Sequence, residues 1–192
     1  MELTKEEQGI LLLSARSSIR TLFEDIPLPT VDYRRFPALA VKAGAFVTLH
    51  LNKSLRGCIG FISSDTPLFQ TVCEAAVLAA SKDYRFSPLY LQELPKILVE
   101  ISVLSPPRKV ANYDEIIIGK HGLIVEEEGT RGLLLPQVAT ENNFSVPDFL
   151  SAVCKKAGLR NFEWKERFLN LFTFEAIVFS ETEHRSATLE KH

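Results

Sequence analysis

The chain has 192 residues, with 46% hydrophobic and 24% charged side chains and a formal net charge of −2. This length is enough for one large domain or two small ones with a buried core. The small net charge disfavours nucleic acid as a partner, because a broad basic surface is missing. The longest apolar runs, 10–13 and 75–80, are too short for a membrane span, and the acidic start lacks the features of a secretory signal.

Three cysteines, Cys58, Cys73 and Cys154, form no Cys-x-x-Cys pair. An odd number without such a pair is typical of free thiols in a reducing compartment, which predicts a cytoplasmic location. Cys73 and Cys154 lie at apolar positions of predicted helices, where core packing is the better interpretation. Because the histidines are scattered and no glycine-rich loop leads into a helix, the sequence predicts no metal and no cofactor.

The first predicted helix begins after Thr4, which forms a capping box with Glu7, and runs to about Glu24. Thr66 followed by Pro67 predicts the start of a second helix, which ends near 81. The side of the first helix expected to be buried includes Ile10, Leu13 and Ser17.

Two segments predict an antiparallel hairpin, with strands at 45–51 and 55–62 joined by a loop of three residues, 52–54. A two-residue loop would mix apolar and polar side chains on each face. The predicted buried face pairs Leu51 with Leu55, Leu49 with Gly57 and Val47 with Ile59. The other face places Phe46, Thr48 and His50 opposite Gly60, Cys58 and Arg56.

Later segments alternate between strand and helix patterns in an irregular order. A strand at 97–104 has apolar residues on one side and Glu100 on the other. Such an order, with hairpins, favours an α+β fold over a wound α/β sheet. The remaining predictions are strands at 116–118, 123–127, 132–135 and 171–179, a helix at 145–158 and a polar tail at 181–192.

The most informative segment is Leu-Arg-Gly-Cys-Ile-Gly at 55–60, because glycine within a strand often marks the close approach of a ligand or another backbone. Cys58 is a candidate nucleophile, since the nearby positive charge of Arg56 would favour the thiolate. His50 would lie diagonally across the hairpin, within side-chain reach. The alternative is that Cys58 is simply a small buried hydrophobic residue.

Other polar residues are candidates for the same site. His121, between two glycines, is either an acid, base or ligand or an ordinary turn histidine. Asp83 and Arg85 are expected to form an ion pair that fixes their loop, with ligand contact as the alternative. Glu100 either faces solvent or points inward toward an arginine. Gln137 bonds a loop backbone or a ligand.

Several further motifs follow the hexapeptide in order along the chain. They are Asp83-Tyr84-Arg85-Phe86-Ser87-Pro88, Glu100-Ile101-Ser102-Val103-Leu104, Gly119-Lys120-His121-Gly122-Leu123, Gly132-Leu133-Leu134-Leu135-Pro136-Gln137-Val138 and Lys156-Ala157-Gly158-Leu159. Together they resemble the AMME chromosomal region gene 1 protein family, whose prokaryotic members are called AmmeMemoRadiSam system protein A. The resemblance covers about residues 5 to 180. Tyr84 departs from an expected proline, and Phe144 from an expected tryptophan.

The resemblance implies an α+β fold in two subdomains, a mainly antiparallel sheet flanked by helices plus a smaller strand-rich subdomain around 108–145. These form a single family domain over 1–192, with the hexapeptide near the groove between them. The family name also implies Memo-like and radical SAM proteins as partners. It supplies no reaction.

Two functions are therefore expected as alternatives, an enzyme or enzyme component acting on a small molecule and a non-catalytic module that binds protein partners. In the first, two arginines and a histidine outweigh one glutamate, which favours a small anionic ligand. Single-stranded nucleic-acid binding is a third, less favoured class. The candidate catalytic residues are Cys58, Arg56, His121 and Glu100, and the candidate substrate-binding residues are Gly57, Gly60, His50, Asp83, Arg85 and Gln137.

Overall fold

The computed structural model describes residues 2–127 and 129–182. The helices of that part are α1 (Lys5–Arg20), α2 (Leu68–Ser81), α3 (Pro136–Glu141), α4 (Val146–Lys156) and α5 (Glu163–Glu166). Its strands are β1 (Ala45–Leu51), β2 (Ser54–Phe61), β3 (Ile97–Leu104), β4 (Arg108–Lys109), β5 (Gly122–Glu127), β6 (Thr130–Leu134), β7 (Leu171–Phe174) and β8 (Ala176–Ser180). Two antiparallel four-stranded sheets with helices make this an α+β fold, as predicted.

The chain divides into two compact units. Unit 1 contains the residues up to 104 together with those from 177 onward, and unit 2 contains 105–176. Unit 2 thus includes the predicted strand-rich region and continues through α4, α5 and β7. Across both described ranges, no helix has the length and apolar character needed to cross a membrane.

The first helix begins as its capping box predicts. Thr4 Oγ1 accepts the N–H of Glu7, and the Glu7 carboxylate accepts the N–H of Thr4 at 2.8 Å. The predicted end and buried side were wrong: α1 stops at Arg20, and Leu13 is 69% exposed. Three consecutive leucines cover most of a helical turn, so the leucine run alone does not define the packed side. The buried apolar stripe is Leu11, Leu12, Ala15 and Ile19.

The sheet of unit 1 has the strand order β2-β1-β3-β8, and both α1 and α2 pack against it. Its core face is built by alternate residues of two neighbouring strands, because successive side chains of a strand point to opposite sides. Burial of these side chains from water is the main stabilising contribution to such a core. The fully buried residues of β1 and β3 are Ala45, Val47, Leu49, Val99 and Ile101.

The β1–β2 hairpin differs from the prediction only near its turn. Leu49 pairs with Gly57 and Thr48 with Cys58, as predicted. The loop, however, has two residues rather than three: Asn52 and Lys53, both with positive φ. A bulge between Leu49 and His50 absorbs the extra residue, Arg56, so His50 pairs with Leu55. The short loop therefore does not mix the faces along the rest of the hairpin.

Arg16 of α1 connects three elements of unit 1. It donates to the carboxylate of Glu181 at 2.6 Å and to the carbonyl groups of Leu94 and Ile97 at 2.8 and 2.7 Å. Glu181, which directly follows β8, also accepts the N–H of Val99 at 3.0 Å. The guanidinium and the carboxylate are both largely enclosed, so these hydrogen bonds replace the water contacts that each group loses.

Unit 2 has its own sheet and core. The strand order is β4-β7-β5-β6, and α4 packs against β5 and β6. Ser145 caps α4 by a capping box with Asp148. Gly158 follows the helix with φ +78°, where the sequence predicts its C-terminal end. Cys154 is fully buried in this core, which confirms its predicted packing role.

Three further predictions were wrong in detail. Segment 116–118 is not a strand, because a 3-10 turn at Tyr113–Glu115 and a further turn occupy this region. The closing strand 171–179 is two strands, β7 and β8, that belong to different sheets and are separated at Glu175. Helix α2 begins one residue later than predicted, because its N-cap is Pro67 rather than Thr66. Of the predicted tail, 183–192 lies outside the described residues.

Candidate functional site

Cys58 lies on β2, at the edge of the unit 1 sheet, directly opposite Thr48 of β1. The Thr48 hydroxyl donates to Cys58 Sγ at 3.3 Å. The outward backbone groups of Cys58 are bonded by side chains of the 82–93 loop: its N–H donates to Asp83 at 2.8 Å, and its carbonyl accepts Arg85 at 3.3 Å. The thiol is therefore held among polar groups rather than sealed among aliphatic ones.

Glu100 completes a row of three polar side chains across the sheet. Thr48 is directly opposite Cys58 on one side and directly opposite Glu100 on the other, so all three share the face away from the core. Glu100 therefore lies on the Cys58 side of the sheet, opposite the buried side chains of Val99 and Ile101. Ser102, two positions further along β3, is 1% exposed, and its hydroxyl has no hydrogen-bond partner among the described residues. We call Cys58, Thr48 and Glu100 the polar row.

Asp83 and Arg85 form the ion pair that the sequence favours. Arg85 donates to both carboxylate oxygens, at 2.9 and 2.7 Å, and the Asp83 side chain is 2% exposed. Bonds from Arg85 and from the N–H of Cys58 outweigh burial and lower the pKa of Asp83 to about 2. The pair covers the open edge of β2, where strand backbones otherwise have no partner.

The electrostatics of Cys58 differ from the prediction. Burial raises the pKa of the thiol, and the negative charges of Asp83 and Glu100 act in the same direction. The Thr48 hydroxyl and the positive charge of Arg85 lower it in part. The expectation that Arg56 stabilises the thiolate was therefore wrong: the cation that acts on Cys58 is Arg85.

Arg56 is instead committed to the loop that follows α2. It makes a two-bond pair with Glu93 at 2.8 Å and donates to the carbonyl groups of Ser87 and Pro88 at 2.9 and 3.3 Å. Its side chain is 12% exposed. This bidentate pair lowers the pKa of Glu93 through the Arg56 hydrogen bonds. Arg56 therefore acts as a brace between β2 and the loop.

The two glycines of the hexapeptide allow close contacts within unit 1. A Cβ on Gly57 would lie 2.2 Å from the carbonyl oxygen of Ala79 in α2. A Cβ on Gly60 would lie 2.5 Å from the ring of Phe46, across the hairpin. Both contacts are shorter than any real side chain allows, so packing against α2 and β1 accounts for the glycines without a ligand.

The remaining predicted site residues fall in different places. His50 lies two residues after Thr48, on the same polar face of β1. It pairs with Leu55 of β2 and Leu98 of β3. His121 and Gln137 belong to unit 2. There, His121 Nδ1 accepts the N–H of Ile117 at 3.2 Å, which fits the turn-histidine interpretation, and Gln137 is in the first turn of α3.

Sequence reasoning missed Thr48 and Glu93 as members of this cluster. The predicted register already placed Thr48 opposite Cys58, so the hydroxyl was available as a signal. Glu93 had no comparable signal, because its pairing with Arg56 depends on how the irregular loop returns to β2. Within the described part of the chain, no group of three or more His, Cys, Asp or Glu side chains is arranged to hold a metal.

Comparisons with known proteins agree with the sequence resemblance. A model of the AMMECR1 family matches residues 12–179. The chain is 43% identical to Protein MJ0810 of Methanocaldococcus jannaschii, with 78% of this chain and 79% of that protein covered. It is 41% identical to Protein MK0488 of Methanopyrus kandleri, with 99% and 96% covered. The crystal structure of the uncharacterized protein PH0010 from Pyrococcus horikoshii is similar at a TM-score of 0.86 and 34% identity, covering 94% of both chains.

Proposed function

Because the chain belongs to the AMMECR1 family, and the names of its relatives specify no activity, we propose a function from the polar row itself. The chain is proposed to be an enzyme or enzyme component that acts on a small molecule in the cytoplasm, with Cys58 as the nucleophile. The carrying observation is the 3.3 Å contact between Thr48 and Cys58, in a row that ends in the Glu100 carboxylate. A thiol, a hydroxyl and a carboxylate on one face meet the needs of nucleophilic catalysis.

In the proposed reaction, Cys58 Sγ forms a bond to an electrophilic carbon of the substrate. The thiol proton passes to the Glu100 carboxylate by way of the Thr48 hydroxyl, which lies between the two groups in the row, and the leaving group departs with that proton and the bonding electron pair. Thr48 stabilises the transient thiolate by donating its hydrogen bond to sulfur. Arg85, whose side chain is 41% exposed, supplies the positive charge that would attract an anionic substrate.

Alkylation by iodoacetamide tests the nucleophile. In wild type at pH 7, Cys58 is expected to react faster than Cys73 and Cys154. Burial raises the pKa of Cys58, but a hydroxyl and a cation both offset part of that increase, whereas Cys73 has only a neighbouring hydroxyl and Cys154 is fully buried. Since burial raises the pKa of Cys58, its alkylation rate should continue to increase at pH values where the rate of an ordinary thiol has become constant. The proposal fails if Cys58 reacts no faster than the other two cysteines.

Two variants separate the roles within the polar row, in a background where Cys73 and Cys154 are replaced by alanine. Glu100→Gln removes a negative charge and should move the Cys58 profile to lower pH, whereas Thr48→Val removes a hydrogen bond and should move it to higher pH. Negatively charged iodoacetate compared with neutral iodoacetamide tests the anion preference. Arg85→Gln should decrease the ratio of the iodoacetate rate to the iodoacetamide rate.

A second candidate function, a module that binds protein partners, has its own supporting observation. The 82–93 loop is braced by Arg56 and Asp83, yet it exposes Tyr84 by 94% and Tyr90 by 60%. Exposed aromatic side chains on a fixed backbone are typical of binding hot spots. The proposed partners are Memo-like and radical SAM proteins, as the family name implies.

Co-purification with co-expressed Memo-like and radical SAM proteins tests this second function. A variant with Tyr84→Ala and Tyr90→Ala should lose the partner, and Cys58→Ala should retain it. The opposite pattern would favour the enzyme proposal, because binding would then depend on the thiol rather than on the loop.

A further inference from the structure

A groove in unit 1, separate from the polar row, lies among α1, α2 and the segment around Leu28. Its cavity volume is about 520 Å³, within the range of sites for small organic ligands. The lining is mostly apolar, and one side chain of α1 is part of it. The lining residues are Ser18, Leu28, Pro29, Phe69, Gln70, Cys73, Glu74, Val77 and Leu78.

The groove contains a buried polar group that lacks a partner. Ser18 is 0% exposed, and its hydroxyl makes no hydrogen bond within the described residues. It lies near the Cys73 thiol, whose pKa is raised by burial in spite of this hydroxyl, but the approach does not give a hydrogen bond of normal geometry. Buried polar groups of native proteins nearly always have a partner, so an unpartnered one in a cavity wall points to a missing partner.

The charge of the lining restricts what that partner is. Among the described lining residues, Glu74 is the one charged side chain, and none is basic. A carboxylate at the rim of an apolar groove repels anions and accepts neutral or cationic molecules. Exposed Gln70 offers an amide at the same rim.

We propose that this groove is a binding site for a small, mostly aromatic or aliphatic molecule without negative charge, whose single polar group hydrogen-bonds to Ser18. The apolar body of the ligand packs against the lining side chains Phe69, Val77 and Leu28. This site is independent of the proposed function at Cys58, because the core-facing Gly57 packs on α2 while Cys58 points to the other side of the sheet.

Two dyes with the same aromatic skeleton test the proposal. N-phenyl-1-naphthylamine is neutral and carries one N–H group, and 8-anilinonaphthalene-1-sulfonate adds a negative charge. The neutral dye should bind the wild-type chain saturably, with increased fluorescence, and about tenfold more tightly than the sulfonate. Equal or stronger binding of the sulfonate, or no saturable binding of the neutral dye, would overturn the proposal.

Leu28 and Leu13 provide a matched pair of variants, since they are 68% and 69% exposed and only Leu28 is in the lining. Leu28→Asp should weaken binding of the neutral dye by about tenfold, whereas Leu13→Asp should leave it unchanged. Equal effects of the two variants would show that the dye binds elsewhere and would contradict the assignment.

Ser18→Ala separates ligand recognition from folding. Because the hydroxyl has no partner in the free protein, its removal should not decrease the melting temperature. Binding of the neutral dye should nevertheless weaken about fivefold, since the hydrogen bond to the ligand is lost. A decrease in melting temperature with unchanged dye affinity would mean that the hydroxyl serves the fold and not a ligand.

Discussion

At the scale of single residues, the charged groups around Cys58 serve mainly to hold the chain together. Arg56 and Arg85 each make a bidentate pair, with Glu93 and Asp83 respectively. Arg56 also donates to two backbone carbonyl groups, and Arg85 to one. Most of their donors are therefore used within unit 1. The groups that remain available for chemistry are the half-buried Cys58 thiol, the Thr48 hydroxyl beside it and the exposed part of the Arg85 guanidinium.

Asp83 makes a testable contribution to stability. Its pKa is about 2 in the folded chain and 3.8 ordinarily, so its stabilising contribution is complete above about pH 4 and disappears as pH falls through about 2. Asp83→Asn should therefore decrease the free energy of unfolding at pH 7 by about 1–2 kcal/mol, with the exposure of Arg85 taken into account. Urea unfolding at several pH values measures this difference.

The difference between wild type and Asp83→Asn should shrink toward zero as the pH approaches 2, because protonation removes the same charge. Asp25→Asn is the control, since Asp25 is an exposed carboxylate of the loop after α1. A pH-independent difference for Asp83→Asn would show that its effect is steric rather than electrostatic.

At the scale of elements, strands with clear alternation were predicted well and segments without it were not. The bounds of β1 and β3 were correct, because apolar and polar residues alternate along them. β7 and β8 were read as one strand, since nothing local to Glu175 shows that the chain changes sheets there. The Arg56 bulge was missed for a related reason: the face pattern fixes the body of the hairpin, but the turn geometry decides its end.

The turn of the β1–β2 hairpin contains a residue whose replacement should make the folded chain more stable. Asn52 and Lys53 have φ of 53° and 65°, which glycine adopts more easily than lysine. Lys53→Gly should therefore stabilise the chain by about 1 kcal/mol, which corresponds to a melting temperature about 2–4 °C higher. Thermal unfolding followed by circular dichroism measures the shift.

Lys53→Ala is the matched control for this change, because it removes the lysine charge and still strains the left-handed backbone. It should leave the melting temperature nearly unchanged. An equal increase for the alanine and glycine variants would attribute the gain to the lost charge rather than to the backbone conformation.

At the scale of the whole molecule, unit 2 is an insertion between two neighbouring strands of the unit 1 sheet. β3 ends at Leu104, and β8, its sheet neighbour, begins at Ala176. The two ends of the insertion meet, since Ser105 N–H donates to the Glu175 carbonyl at 2.8 Å. Each unit has its own buried core. Such an arrangement predicts that unit 1 does not need unit 2 in order to fold.

Replacing residues 106–174 by Asn-Gly tests this directly, because this dipeptide favours the tight turn that would join Ser105 to Glu175. The shortened chain should unfold cooperatively in urea, as followed by far-ultraviolet circular dichroism. A gradual, non-cooperative transition would mean that unit 1 depends on the insertion. The control retains 106–174 and replaces only the exposed Leu13 by alanine, a change expected to be neutral.

The insertion also sets an order of events during synthesis on the ribosome. α1, β1, β2 and β3 emerge first, but unit 1 lacks β8 and the carboxylate that pairs with Arg16 until Glu181 has been added. By then all of unit 2 has been made, and if it has already folded, it brings Ser105 and Glu175 together and shortens the loop that β8 must close. The first unit to begin translation is therefore the last to be completed, and until then the open edge of β3 is exposed to misassembly.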